Sequence, residues 1–294
     1  MSDFLQNFMN IIKRMFSLFK QKDPIAYSAA VAFFTIFSMP SIIIIIVWLA
    51  RLVQQDEKVR SELINQIDEI VGKEGSEVAL TIINNISVME NDWVANIFGL
   101  VILFISSTAI FNFIKKGINS IWGISPKPEK GFLKFFTDRI IAFAFIVGLG
   151  ILIFASLLID TIFNYIKGFL TEYFSGQTAT IMYFLNVLLS IVIITFVFFV
   201  IFKFLSDAVI KWKVVLVGAL VTSILFNIGK YAIGLILTKA NITNTYAAAG
   251  SLAAVLIWVF YSSILLFVGG IFTKAYSEHT GREIRPNQSA NKIV

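Results

Sequence analysis

The sequence predicts an all-α protein that crosses a lipid bilayer six times. Of its 294 residues, 57% are hydrophobic and only 14% are charged, whereas soluble domains usually have about 25% charged residues. The apolar residues are concentrated in six segments, each long enough to span roughly 30 Å of hydrocarbon. Lysine and arginine are concentrated in alternate connections between these segments, which is typical of polytopic membrane proteins.

Residues 1–24 precede the first span and predict an amphipathic helix on the cytoplasmic face. Apolar residues recur there at spacings of three and four, and basic residues lie between them. Such a pattern is typical of a helix in the headgroup region of a bilayer. The apolar positions are Phe4, Phe8, Ile11, Ile12, Met15, Phe16 and Phe19, and the basic ones are Lys13, Arg14, Lys20 and Lys22.

Residues 25–276 form the predicted six-helix transmembrane domain. The first span contains Pro40, which removes a backbone hydrogen bond, so a kink is expected between Ile36 and Pro40. The predicted spans are residues 25–50, 92–114, 140–163, 179–204, 214–237 and 246–273.

The connection at 52–91 differs from the others because it is long and acidic. Leu63, Ile67 and Ile70 recur at helical spacing, Gly72 and Gly75 interrupt the pattern, and a second stripe follows. We expect a hairpin of two short amphipathic helices outside the cytoplasm.

The distribution of basic residues orients the chain. The N-terminal arm, the 115–139 and 203–213 connections and the tail hold seventeen lysines and arginines, against six in the other connections. Basic connections stay in the cytoplasm. Both termini are therefore expected there, including the polar tail at 277–294.

Composition argues against an enzyme. The chain has no cysteine and one histidine, His279, so cysteine nucleophiles, thiolate sites and histidine-based metal sites are not expected. Asp138 and Asp207 are interpreted as isolated carboxylates at membrane edges. No catalytic residue, metal or cofactor is expected, and nuclease activity is disfavoured. The net charge of +6 is explained by topology, so no nucleic acid is expected as a partner.

Lys230 is the clearest candidate for a functional residue because it lies inside the fifth span. Asn227 precedes it by three residues and Tyr231 follows it. Ionisable groups within a membrane are costly and usually face a bundle interior or a wet cavity, which favours a substrate-binding lysine. The alternatives are a lysine that reaches the interface along its own stem and a structural partner of a carboxylate.

Two polar clusters are further candidates. Asn112 and Asn119 share a helix face with Lys115 or Lys116 and could line a cytoplasmic mouth, or could form interhelical hydrogen bonds. Ser38 and Pro40 could form a gate, although hydroxyls near a proline also satisfy freed carbonyls. Gly250 and Ala254 have the spacing that permits close helix packing.

Four stretches together resemble one family. They read AYSAAVAFFTIFSMPSIIIII at 26–46, NSIWGISPKP at 119–128, GALVTSILFNIGKYAIG at 218–234 and YAAAGSLAAVLIWVFYSSILLFVGG at 246–270. In this order they resemble the YihY/BrkB family of bacterial inner-membrane proteins. The family is also labelled virulence factor BrkB, and some members were formerly labelled ribonuclease BN. One departure is Tyr246-Ala247, where the family often has Tyr-Gly.

The resemblance implies a six-span helical fold in the cytoplasmic membrane and a role in transport or export, including of lipids. We therefore expect a transporter of a small amphipathic or anionic solute or a lipid, with a polar cavity between helices lined by Lys230, Asn227, Tyr231, Asn112 and Asn119. The alternative is a non-transporting scaffold or partner-binding protein that uses the acidic hairpin. Membrane lipids are the expected partners, and the substrate and oligomeric state are open.

Overall fold

A computed structural model describes residues 2–37, 93–127, 178–240, 250–288 and 290–292 of the chain. These residues are mostly helical, which confirms the predicted fold class at this level. The helices are α1 (Ser2–Lys22), α2 (Pro24–Phe37), α3 (Trp93–Trp122), α4 (Thr178–Val200), α5 (Trp212–Ala240) and α6 (Gly250–His279). A π-helical turn at Ile201–Leu205 continues α4.

Within the described residues, three helical stretches are long and apolar enough to cross a membrane. They are Val187–Leu205, Trp212–Lys230 and Val255–His279, and they correspond to the predicted fourth, fifth and sixth spans. The third span at 140–163 and the acidic connection at 52–91 lie outside the described residues, as do Ser38 and Pro40. Six spans therefore stay a prediction.

The boundary between α1 and α2 is set by Asp23 and Pro24. Asp23 has a φ of 44°, which an aspartate tolerates better than most residues. Its carboxylate accepts a hydrogen bond from the backbone N–H of Ala26 at 3.3 Å. Proline suits the first helical position because its φ is already helical and it has no N–H to satisfy. The pair therefore ends the amphipathic helix and starts the apolar one.

Two short antiparallel strand pairs join the tail to earlier connections, although no strand was predicted. Ile124–Pro126 (β1) pairs with Ala290–Lys292 (β4), and Ala208–Val209 (β2) pairs with Arg285–Pro286 (β3). The Lys127 ammonium adds a hydrogen bond to the Gln288 carbonyl at 2.9 Å. The described residues of the tail are thus hydrogen-bonded to two earlier connections.

Gly281 ends α6 and directs the chain into this tail. Its φ is 64°, a conformation that glycine adopts without steric cost. The Gly281 N–H donates to the Glu278 carbonyl at 3.2 Å and the Arg282 N–H to the Ser277 carbonyl at 3.0 Å. These two bonds form a Schellman cap, which satisfies carbonyls that the helix end leaves free.

The chain forms two compact units. The first comprises Met1–Lys22, Ile118–Asn227 and Leu266–Val294, and the second comprises Asp23–Gly117 and Ile228–Leu265. Ile118, Ile121, Trp122, Phe202, Phe267 and Ile271 are almost fully buried in the first unit. In the second unit, Ile233 is buried against Trp258 and Tyr261.

Within the first unit, α5 and α6 approach each other through two matched pairs. A Cβ added at Gly218 would lie 2.0 Å from the Thr273 Oγ1, and a Cβ added at Gly269 would lie 2.0 Å from the Thr222 Oγ1. Each threonine hydroxyl donates to the carbonyl four residues before it, Gly218 for Thr222 and Gly269 for Thr273. Each helix therefore places a threonine in the space that the other helix's glycine leaves.

Candidate functional site

The first unit contains a buried polar pair between the end of α3 and the turn after α4. The Asn119 amide donates from Nδ2 to the Asp207 Oδ2 at 2.9 Å, and the Asp207 backbone N–H donates to the Asn119 Oδ1 at 3.0 Å. Asn119 is 2% exposed and Asp207 is 9% exposed. Within this pair each residue thus donates one hydrogen bond and accepts one, and buried polar groups are generally satisfied in this way.

Trp122, one turn after Asn119, lies in the same packed region. Its indole N–H donates to the Gly270 carbonyl at 3.0 Å, and its ring lies 6.1 Å from the Phe202 ring, edge to face. A buried tryptophan that also satisfies its N–H is a strong packing residue. Trp122 therefore joins the end of α3 to α6 beside the Asn119–Asp207 pair.

The position of Asp207 follows from the π-helical turn. Ile201–Leu205 is wound more loosely than an α-helix, and Ser206 leaves it with extended backbone. π-Helical turns are rare in proteins, and those that occur are often found at functional sites. The Asp207 carbonyl then accepts the backbone N–H of Asn287 at 2.9 Å. The same residue therefore contacts α3 through its side chain and N–H, and the tail through its carbonyl.

Asp207 corrects the interpretation of an isolated carboxylate. Sequence reasoning missed its role because its partner lies 88 residues earlier. The available signal was the short polar stretch Ser206-Asp207 directly after an apolar span. Buried carboxylates are usually hydrogen-bonded, so a carboxylate at that position indicates a partner on another element.

A second set of polar groups joins α4 to α5. The Ser190 hydroxyl donates to the Asn227 Oδ1 at 3.2 Å, and the Asn227 Nδ2 donates to the Ser223 carbonyl at 3.0 Å. The Ser223 hydroxyl donates to the Ile191 carbonyl at 2.9 Å. Interhelical bonds of this kind hold membrane helices together. The bonds from Ser190 and Ser223 place Asn227 at the interface between α4 and α5, two candidate spanning helices.

Thr195 lies on α4 near this interface, and its buried hydroxyl has no hydrogen-bond partner among the described residues. Threonines in helices usually donate to the carbonyl four residues earlier. Here that carbonyl belongs to Ile191, which receives the Ser223 hydroxyl instead. Among the described residues, the Thr195 hydroxyl is thus left without a hydrogen-bond partner at the α4–α5 interface.

Lys230 belongs to the second unit, where it is half-buried in α5. Among the residues that the structure describes, no carboxylate lies within 4 Å of its ammonium. The preceding Gly229 packs against α6, because a Cβ there would lie 2.4 Å from the Tyr261 Oη. Tyr231 follows Lys230 in the helix.

Asn112 also lies in the second unit and is half-buried, whereas Asn119 and Asn227 lie in the first. Asn119 and Asn227 have different partners, so the structure does not bring these two together. Near Asn112, the exposed Lys116 ammonium lies 5.9 Å from the Phe113 ring centroid, within the range of a cation–π contact. The proposed gate residues Ser38 and Pro40 are outside the described part of the chain.

The basic N-terminal helix is joined to α6 by an ion pair. Arg14 donates to both carboxylate oxygens of Glu278, from Nε at 2.6 Å and from Nη2 at 3.2 Å. Lys274 contacts the same carboxylate at 3.4 Å. The hydrogen bond to Glu278 raises the pKa of the Arg14 guanidinium above its ordinary value.

Within the described part of the chain, no three histidine, aspartate or glutamate side chains are close enough to hold a metal ion. The buried pair offers one carboxylate, already bonded to an amide. The hydrogen bonds of this pair hold the end of α3 against the turn after α4.

Comparison with known proteins identifies relatives of this chain. A family model described as Virulence factor BrkB matches residues 15–294. A UPF0761 membrane protein of Idiomarina loihiensis is 24% identical over 194 residues, which cover 64% of this chain and 63% of that protein. The matched region is thus less than two thirds of that relative's length. No solved structure matches the chain significantly.

Proposed function

This chain belongs to the Virulence factor BrkB family of membrane proteins, and we propose that it moves a small amphipathic or anionic solute, or a lipid, across the cytoplasmic membrane. The path in this proposal is a polar cavity between the helices. No catalytic step or cofactor is part of it.

The observation that carries the proposal is the position of Lys230, a lysine within the apolar helix α5. An ammonium in an apolar helix is costly unless it is paired or hydrated. None of the described carboxylates pairs with it. In this proposal an anionic substrate group or water in a cavity acts as the partner of the ammonium, and a positive charge in the path favours anions.

The other candidate residues have separate roles in this proposal. Asn227, Tyr231 and Asn112 are proposed to provide hydrogen bonds to the substrate. Asn119 is already bonded to Asp207, so it fixes the cytoplasmic end of the path. Ser38 and Pro40 remain the proposed gate.

Both termini are proposed to lie in the cytoplasm. The contact of Arg14 with Glu278 supports this, because it joins the first helix to the last residues of α6. The count of basic residues supports the same side for both.

The test is reconstitution of the purified full-length protein into liposomes of phosphatidylethanolamine and phosphatidylglycerol. Two probes report movement across the bilayer. One is a fluorescent phosphatidylglycerol whose fluorophore is quenched by a reductant added outside the liposomes, and the other is a fluorescent fatty acid. We expect the wild-type protein to accelerate one of them over protein-free liposomes. Lys230→Ala should lower the rate about tenfold or more, since a charge-assisted hydrogen bond contributes roughly 1.5–3 kcal/mol.

Two variants serve as controls for the lysine. Lys230→Arg keeps the charge and should retain most of the rate. Lys213→Ala removes an exposed lysine from the other end of the same helix and should leave the rate unchanged. A full rate in a folded Lys230→Ala protein would remove Lys230 from the mechanism.

The alternative function is a non-transporting scaffold. The interlocked glycine–threonine pairs of α5 and α6 and the satisfied Asn119–Asp207 pair favour it, because a closed bundle needs such packing. Wild-type protein that moves neither probe faster than protein-free liposomes would support the scaffold over the transporter.

A further inference from the structure

The N-terminal helix α1 has two apolar edges with different environments. Leu18 on one edge is 3% exposed, whereas Phe16, Met9 and Phe8 are 67%, 55% and 50% exposed. Among the described residues, the edge that contains Leu18 is therefore packed in the protein, whereas Met9 and Phe16 on the opposite edge are more than half exposed.

The exposed edge alternates apolar and basic residues. Met9, Lys13, Phe16 and Lys20 follow at spacings of four, three and four, which places them along one stripe of an α-helix. We call these four residues the outer stripe. Lys13 and Lys20 are both exposed. Large apolar side chains beside lysines are typical of helices that lie in a bilayer interface.

The opposite edge fixes α1 at the end of a spanning helix. Arg14, four residues before the buried Leu18, forms the two-pronged pair with Glu278. Glu278 is the second-last residue of α6 and lies at the end of the apolar stretch Val255–His279. The end of a spanning helix is where the headgroups of the bilayer begin.

We propose that the outer stripe binds the headgroups of anionic phospholipids in the adjacent leaflet. Met9 and Phe16 insert among the upper acyl carbons, and Lys13 and Lys20 bind the phosphates. The positive charge of the two lysines selects an anionic surface over a neutral one. Arg14 and Leu18 hold the helix so that the stripe faces the lipid. This site is independent of the transport proposed above.

The chain contains no cysteine, so a single spin label can be attached to the full-length protein in lipid nanodiscs. Phe16→Cys places the label on the outer stripe. Asn10→Cys places it on an exposed position about 120° around the helix. We expect the label at position 16 to collide with oxygen dissolved in lipid and to be protected from a water-soluble nickel chelate. The label at position 10 should show the reverse.

The second measurement is the accessibility of the same label in nanodiscs whose lipids differ in charge. Nanodiscs of phosphatidylcholine alone are compared with nanodiscs that also contain phosphatidylglycerol. Each lysine at an anionic surface favours binding about fivefold, so the anionic lipid should lower nickel accessibility at position 16. Lys13→Gln with Lys20→Gln should abolish this dependence. Lys211→Gln with Lys213→Gln makes the same charge change at two exposed lysines off the stripe and should preserve it.

Three results would overturn the proposal. Equal water accessibility at positions 10 and 16 would show that the stripe is not in lipid. Equal protection in neutral and anionic nanodiscs would show that the lysines do not select headgroups. Dipolar broadening between labelled copies at position 16 would show that a second copy of the chain covers the stripe.

Discussion

At the scale of single residues, Asn119 shows what an amide contributes that a carboxylate or an alkyl group would not. It donates one hydrogen bond to the Asp207 carboxylate and accepts one from the Asp207 N–H. The sequence identified Asn119 as a candidate because of its spacing from Asn112. It did not identify Asp207, because helical spacing gives no information on a partner in a distant connection. The sequence therefore indicated a polar residue at Asn119 but not its hydrogen-bond partner, Asp207.

Loss of this pair should destabilise the protein. Asn119→Ala removes both hydrogen bonds of the buried pair, which should cost about 1–3 kcal/mol. Ser120→Ala, at the next and only half-buried position, should change stability by no more than about 0.5 kcal/mol. Thermal unfolding of both variants in detergent checks this. Equal unfolding temperatures would show that the pair contributes no stability.

At the scale of secondary-structure elements, the α5–α6 contact depends on a Gly-x-x-x-Thr pattern in each helix. The sequence predicts close packing at Gly250 and Ala254, whose surroundings are outside what the structure describes. Gly218 with Thr222, and Gly269 with Thr273, were equally visible as spacings of four. Nothing in one sequence shows that the two patterns face each other, because that depends on the relative rotation of two helices.

Neighbouring glycines in α6 give a matched test. A Cβ at Gly269 would lie 2.0 Å from the Thr222 Oγ1, whereas a Cβ at Gly270 would lie 3.9 Å from its nearest neighbour, the Ile121 Cδ1. Gly269→Ala should therefore destabilise by about 1–3 kcal/mol through overpacking. Gly270→Ala should be neutral or slightly stabilising, because alanine favours the helix.

Thr222→Ala in the Gly269→Ala background should restore part of the stability. It removes the two nearest atoms but leaves the Thr222 Cβ at 2.8 Å. Equal stability of Gly269→Ala and Gly270→Ala in detergent melting experiments would contradict the interlocked packing of α5 and α6.

At the scale of the whole molecule, the last three predicted spans coincide with helices that are long and apolar enough to be candidate spans. The predicted spans at 179–204, 214–237 and 246–273 correspond to α4 with its π-helical turn, α5 and α6. The helix that contains the sixth predicted span ends at His279, beyond the predicted boundary at 273, and a glycine cap at Gly281 follows it. The strand pairs of the tail were missed because strands of two or three residues have no readable period. Their partners lie in distant connections.

The orientation of the molecule predicts where introduced cysteines can be labelled. Gln6→Cys in α1 and Asn291→Cys in the tail are both at exposed positions. If both ends are cytoplasmic, a membrane-impermeant maleimide should label both in inverted vesicles and neither in intact cells. Labelling of either cysteine in intact cells would contradict this topology.

The most direct test of the central claim, a polar path that includes Lys230, is the reactivity of a cysteine at that position. Ile228→Cys is the control, since Ile228 lies two residues earlier in the same helix and is 62% exposed on an apolar span. A charged, water-soluble methanethiosulfonate reacts with thiols in water and not with thiols in lipid. The account predicts rapid modification of Lys230→Cys and slow modification of Ile228→Cys. Equally slow modification of both cysteines would place position 230 in lipid and contradict the polar path.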